Sequence, residues 1–409
     1  MPLRHGLSPW AASLRPARRR AFPRLTSSLE IPVVIVGGGL TGCATAYALS
    51  AAGVRVVLLE GDQLAGGATS RASGLLLARP EAAYLELERR HGRRIARALW
   101  QDTRRAALDA QATLRRLKIR SGLATYDAVL AARAPDDVKV LRRELAAQKA
   151  AGIDGSWLSA RALEQATGLE GHGGIRSQGH AWVDPVKTTL GLARAAAARG
   201  AAIFERSPVD RIRFGRRHVE ITCGRRVITA ETVIVATGGP GTLFRPLARH
   251  FVETETYAVL TPKMSAAVRR AGGARASIVL DRHDPPHRLC WFGGDRILWT
   301  GADQPPVPER KRREVMIQRT GQLMYELLLA LPVISGTQPD FSWHAPVVRA
   351  VDEVPFVGPH RNYPRHLFAL GLGANLAASF HAARLLVRAV QGAPERSDEY
   401  FGFTRLAGR

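Results

Sequence analysis

Three glycines in the register Gly37-x-Gly39-x-x-Gly42 stand between an apolar run and an alanine-rich stretch, within VVIVGGGLTGCATAYALSAAGVRVVLLE at 33–60. This combination constrains the fold more than any other feature. Residues 31–36 read as a strand buried on both faces. Residues 40–52 lack proline and suit a helix, and 54–60 form a second apolar run, giving a βαβ unit of about thirty residues. The glycines differ in what they do. Gly37 makes the tight turn, Gly39 lets a pyrophosphate approach, and Gly42 lets helix and sheet pack closely. The helix start offers free N–H groups and the positive end of a dipole to phosphates. Glu60 follows Gly42 by 18 residues, where a carboxylate can hold both ribose hydroxyls and would repel a 2′-phosphate. The stretch predicts a dinucleotide site and leaves NAD and FAD open.

A chain of 409 residues is ample for a second structural unit beside this one. At 46% apolar the chain is neither disordered nor fibrous. No run reaches the roughly eighteen apolar residues a membrane span requires. Cys43, Cys223 and Cys290 lie far apart without a CxxC, so neither a disulfide framework nor a zinc signature is expected. This usage suits a reducing compartment, and a cytoplasmic location is expected. The formal charge is +24, but only six of the 59 basic residues are Lys. The Arg residues are spread along the chain with no interleaved aromatic ladder, so compositional bias is favoured over a nucleic-acid surface.

Residues 1–29 carry no acid, and Arg19-Arg20 is followed by no apolar core of an export signal. A flexible basic lead-in is expected there. Further along, 84–118 reads as one amphipathic helix or two abutting ones, with Leu99, Ala106, Ala110 and Leu114 inward and Arg93, Arg97, Arg104 and Arg115 outward. A strand at 123–131 and a helix at 136–150 follow. Asp184-Pro185 opens a helix that Gly200 ends. A small meander spans 209–228, and 232–236 is another buried strand. From 241 the pattern changes to short strands at 257–260, 277–280, 289–292 and 297–300, then a helix at 309–330. A strand at 367–370 and a helix at 376–390 close the pattern.

Several stretches come in an order that resembles FAD-dependent oxidoreductases of the D-amino-acid oxidase (DAO) type. They are the glycine loop, GGATSRASG (66–74), WVDPVKTTLGLARAAAARGA (182–201), VIVATGG (233–239), VDEVPFVGP (351–359) and LFALGLGANLAASFHAARLL (367–386). The resemblance covers about 30–392. It implies an α/β fold in which a Rossmann-like FAD-binding domain (30–83, 160–240 and 345–392) is interleaved with an antiparallel-sheet substrate domain (84–159 and 241–344), leaving 393–409 as a tail. It implies noncovalent FAD. Gly37, Gly39, Gly42 and Glu60 would then hold the nucleotide, and Ser70, Arg71 and Gly74 would follow its phosphates and ring. Val209 would meet the adenine, Thr237 and Gly238 would end a strand beneath the cofactor, and Gly371, Gly373, Asn375 and Leu376 would form a turn at the ring.

The resemblance further implies oxidation of a C–N bond by hydride transfer to flavin, with O2 or another electron acceptor. Members acting on amino acids often carry an Arg where Val347 stands here; Arg349 lies two residues on, roughly 7 Å along a strand. The pattern is nearer the amine-oxidising branch typified by gamma-glutamylputrescine oxidase, although Leu376-Ala377-Ala378 departs from it. A small-molecule amine is the expected substrate. The alternatives are an amino-acid oxidase or dehydrogenase using Arg349 or Arg288, and a low-turnover flavin scaffold with polyanion affinity. Arg288, Tyr257 and His180 are the catalytic candidates. Pro285 and Pro286 separate His283 from His287, so no metal is expected.

Overall fold

The computed structural model describes residues 3–13, 21–215, 217–274 and 277–406. Among these, two sheets organise the chain. The first has the order Phe356–His360, Tyr363–Leu370, Arg226–Gly238, Leu29–Val36, Val56–Leu59, Ala202–Phe204. Its pairings are parallel except at the Phe356–His360 edge. The meander Arg211–Phe214 and Val219–Cys223 hangs antiparallel from the long strand Arg226–Gly238.

The alternation of side chains along Leu29–Val36 explains why both of its faces are apolar. Val33 and Ile35 enter the main core, while Val34 and Val36 enter a separate core beneath the meander, with Val57, Leu59, Val219 and Ile221. Burying each such side chain contributes about 1.5–3 kcal/mol. Helices Leu40–Ala51, Pro185–Ala197 and Ala377–Val390 cover the main-core face. Asp184 caps the second of these, its carboxylate accepting the N–H of Val186 at 3.0 Å and of Lys187 at 2.9 Å.

The second sheet runs Arg4–His5, Phe341–Ala350, Phe251–Leu260, Arg296–Gln304, Arg288–Phe292, Ser277–Leu280, Ala124–Ala131, Gly174–Trp182, Leu75–Leu76. Its central pairings are antiparallel. It too has two apolar faces. Ala258, Leu260, Cys290, Leu298 and Trp343 face the main core. Tyr257, Val259, Leu289, Trp291 and Trp299 face the helix Arg312–Ala330.

The segment 84–118 takes the second of its two expected forms, two abutting helices, Tyr84–His91 and Arg93–Arg116, broken at Gly92, whose φ is +80°. Three regions differ from the sequence expectations. Leu75–Leu76 and Gly174–Trp182, assigned from sequence to the FAD-binding part, hydrogen-bond within the second sheet. Residues 3–13 and 21–29, expected as a flexible lead-in, are anchored to the fold at several points. Arg4–His5 pairs with Phe341–Ser342, Trp10 meets Trp343 edge-on at 5.4 Å, and the Leu25 N–H donates to Ser207 Oγ at 3.0 Å. Arg19-Arg20 lies outside the described residues. The described part of the 393–409 tail is also packed: Phe401 and Phe403 are buried, and Arg405 grips Asp352.

Candidate active site

A cleft of about 620 Å3 lies between the two sheets. Gly37 begins its wall. Its φ is +110°, and a Cβ there would stand 2.6 Å from the Ala236 carbonyl, so only glycine fits this turn. Gly42 does not line the cleft; it lies under the loop, where a Cβ would meet the Gly37 oxygen at 1.8 Å. Thr69 Oγ1 accepts the Leu40 N–H at 3.0 Å, in place of the helix cap that Gly39 lacks. Glu60 ends the second strand of the unit, and its carboxylate accepts the N–H groups of Gly38 (2.6 Å) and Asp62 (2.9 Å).

Of the cofactor residues expected from sequence, Gly37, Gly39, Glu60, Arg71, Val209, Thr237, Gly238, Gly373, Asn375 and Leu376 line this one cleft. Ser70, Gly74 and Gly371 do not. Ser70 Oγ donates to the Gly66 and Gly67 carbonyls, and its own carbonyl accepts from Ser8 Oγ at 2.5 Å. Gly74, at φ +86°, makes room for the Val183 carbonyl and the Trp182 ring. Gly371, at φ +69°, makes room for Phe251. All three shape the wall from behind.

The catalytic candidates separate more sharply. Arg288 lines the cleft. Tyr257 does not, because Thr256 and Ala258 on the same strand take the cleft face and alternation turns Tyr257 into the opposite core. Its hydroxyl donates to Glu255 Oε2 at 3.0 Å and accepts from Gln304 Nε2 at 2.9 Å. Burial and the adjacent Glu255 push it up to about 12. His180 is also away from the cleft. Its Nδ1 accepts the Ala78 N–H at 3.1 Å, and burial, followed by Arg79 and Arg104, pulls it down to about 3. It is a neutral clamp on the Ala78 backbone.

Three polar groups behind the cleft wall escaped the sequence reading; none of them lines the cleft itself. His344 Nε2 lies 2.6 Å from Arg71 Nη1 and 2.8 Å from Arg312 Nη1. Both guanidinium groups can only donate, so Nε2 is the acceptor and the proton sits on Nδ1. Burial first, then Arg71, lowers His344 to about 4. Arg312 in turn donates to Glu255 Oε1 at 2.8 Å. The third group is Glu81. Its Oε1 accepts the N–H of Ala374 (2.6 Å) and of Asn375 (3.0 Å), and Arg288 Nη2 stands 3.6 Å from its Oε2. Gly373 accommodates it, since a Cβ there would lie 2.4 Å from Glu81 Oε1. The one available signal was a carboxylate directly after the apolar run and Pro80.

The Asn375 side chain ties the two halves of the wall together. Its Oδ1 accepts the Leu77 N–H at 3.0 Å, and its Nδ2 donates to the carbonyls of Leu77 (3.0 Å) and Arg79 (3.1 Å).

Residues 32–389 match the FAD dependent oxidoreductase (DAO) family. The chain belongs to that family. As a DAO-family protein it binds FAD, and the cleft fits the group: its volume lies in the range of cofactor sites, the glycine cradle excludes any Cβ at Gly37 and Gly42, and Glu60 stands where a ribose would need a carboxylate. The chain is 25% identical to a probable oxidoreductase, OrdL, of Haemophilus influenzae, over 93% of this chain and 88% of that one. It is also 25% identical to the gamma-glutamylputrescine oxidoreductase of Escherichia coli, over 97% of this chain and 91% of the relative. Among solved structures, glycine oxidase from Geobacillus kaustophilus shares the fold with a TM-score of 0.73 at 20% identity, covering 92% of this chain and 99% of that one. No helix among the described residues is long and apolar enough to cross a membrane.

Proposed function

We propose that this DAO-family enzyme oxidises the C–N bond of a small amine that lacks an α-carboxylate. The observation that carries this reading is the absence, among the described residues, of a free guanidinium where a carboxylate would dock. Val347 lines the cleft, and Arg349 lines a smaller cavity behind the 371–375 turn instead. Arg288 does reach the cleft, but it already faces the carboxylate of Glu81. Arg71 reaches it too, and is engaged with His344.

Bound FAD would accept the hydride and its two electrons. The chain's own part is to bind, orient and dry the substrate. Thr256, Ala258, Thr300, Ala345 and Val347 form a largely apolar wall. Desolvation there disfavours an ammonium and holds the amine neutral, the form that can release hydride. No strong protein base is then required. The cleft wall carries no Cys, His or Tyr among the described residues, which supports noncovalent FAD. The free, buried Cys43, Cys223 and Cys290 support a cytoplasmic setting. O2 or another acceptor then removes the electrons.

The test is anaerobic mixing of the yellow holoenzyme with polyamines, N-methyl amines and D- and L-amino acids, following flavin absorbance. Bleaching is expected to be fastest with a bare amine. Faster bleaching by an α-amino acid would replace this reading with the amino-acid one, in which Arg288 leaves Glu81 to hold the carboxylate.

A further inference from the structure

The cleft has two distinct ends. Glu60 and the glycine loop take the ribose and pyrophosphate end. A dinucleotide anchored there must extend its ring toward the opposite end, which is walled by Thr256, Thr300, Arg288 and the turn Leu372–Leu376. The backbone N–H groups of that turn are engaged within the protein: Gly373 donates to the Val348 carbonyl, Leu376 to the Leu75 carbonyl, and Ala374 and Asn375 to Oε1 of Glu81, which lines the smaller cavity behind the turn.

The other oxygen is unusual as well. Glu81 Oε2 is buried and makes no hydrogen bond. Its nearest cation, Arg288 Nη2 at 3.6 Å, is beyond hydrogen-bond range. Both side chains are shielded, at 14% exposure for Glu81 and 11% for Arg288. Charges so placed are weakly screened and act over a longer distance than surface charges.

We propose that Glu81 and Arg288 form a charge pair that sets the reduction potential of the bound flavin, Glu81 lowering it and Arg288 raising it. Reduction adds negative charge to the ring, so a nearby carboxylate opposes it and a nearby guanidinium favours it. Arg288 offsets the carboxylate and lies on the cleft wall itself. Both residues are positioning residues for the electronics of the cofactor. The inference needs the cleft to hold FAD and is independent of the substrate being an amine.

The test uses holoenzyme reduced slowly in the presence of a reference dye of known potential, with no amine present. Glu81→Gln keeps an acceptor for both amides and removes the charge. It is expected to shift the flavin–dye equilibrium about tenfold toward reduced flavin, about +30 mV for a two-electron couple. Arg288→Gln is expected to shift it in the opposite direction by a similar factor. A purely structural role for the pair would leave both equilibria at the wild-type value, and that result overturns the proposal. If Glu81→Gln retains no FAD, Arg288→Gln decides alone: a drop supports the proposal, and no change or a rise overturns it.

Discussion

His287 Nδ1 lies 2.8 Å from Asp281 Oδ2, beside Trp299 on the face of the second sheet turned away from the cleft. The ring's other nitrogen is 3.0 Å from Glu326 Oε2 on the helix Arg312–Ala330. Burial pulls His287 down, but the bond and charge of Asp281, then Glu326, outweigh it and hold the imidazolium above its ordinary value. The folded pKa is therefore raised. The stabilisation is full below the unfolded value of about 6.5 and is lost as pH rises through the folded one. The Tm difference between wild type and His287→Gln should be largest in mildly acidic buffer and shrink with rising pH. A gap that widens with pH would contradict the assignment.

Gly42→Ala places a methyl group where the Gly37 oxygen lies. Backbone must move to relieve it. Overpacking of this kind costs about 1–3 kcal/mol, which corresponds to about 5–150-fold if it falls on cofactor binding. FAD content of the purified variant, read from the ratio of flavin to protein absorbance, should drop accordingly. The Tm should fall with it.

Tyr257→Phe separates stability from chemistry. The hydroxyl holds Glu255 and Gln304 on the far side of the sheet from the cleft. Removing it leaves buried polar groups short of a partner, at about 1–3 kcal/mol. The rate of flavin reduction by a saturating substrate should stay within about twofold of wild type. A rate loss of about a hundredfold or more would return Tyr257 to the catalytic machinery.

Arg405 locks the C-terminal turns to the first sheet. It donates to both oxygens of Asp352 (2.8 and 3.1 Å) and its guanidinium lies 3.7 Å from the Phe356 ring centre. Burial pushes Asp352 up, but the Arg405 hydrogen bonds and charge overcome this and hold it below the usual carboxylate range. Arg405→Met leaves a buried carboxylate uncompensated and should cost about 3–5 kcal/mol near neutral pH. The folded pKa is lowered, so the wild-type advantage exists above the unfolded value of about 3.9 and is lost as pH falls through the folded one. Denaturant titrations at pH 7 and pH 3 should show the gap closing in acid.

Local patterns carried far in this chain. The 40–52 helix, the Asp184-Pro185 cap and the strand at 277–280 were legible because each depends on residues close in sequence. Gly37, Gly39 and Glu60 followed from the glycine loop itself, and the other seven cleft-lining cofactor positions from the order of the motifs. What sequence alone did not reveal depends on long-range pairing. Gly174–Trp182 contains two glycines and several polar residues, and it becomes a strand only because Ala124–Ala131 and Leu75–Leu76 flank it. Tyr257 was misjudged because the face it points to is set by the register of its neighbours. Glu81 is invisible without the turn that reaches it across nearly three hundred residues.

That last separation has a consequence for how the enzyme becomes yellow in the cell. Asn375 stitches the wall at Leu77 from 298 positions downstream. A ribosome adding about 5–20 residues per second needs roughly 15–60 s to cover that interval. Throughout it the glycine loop is already made, yet the ring end of its pocket has no wall. A complete FAD pocket therefore waits on the synthesis of Asn375, long after the glycine loop has been made.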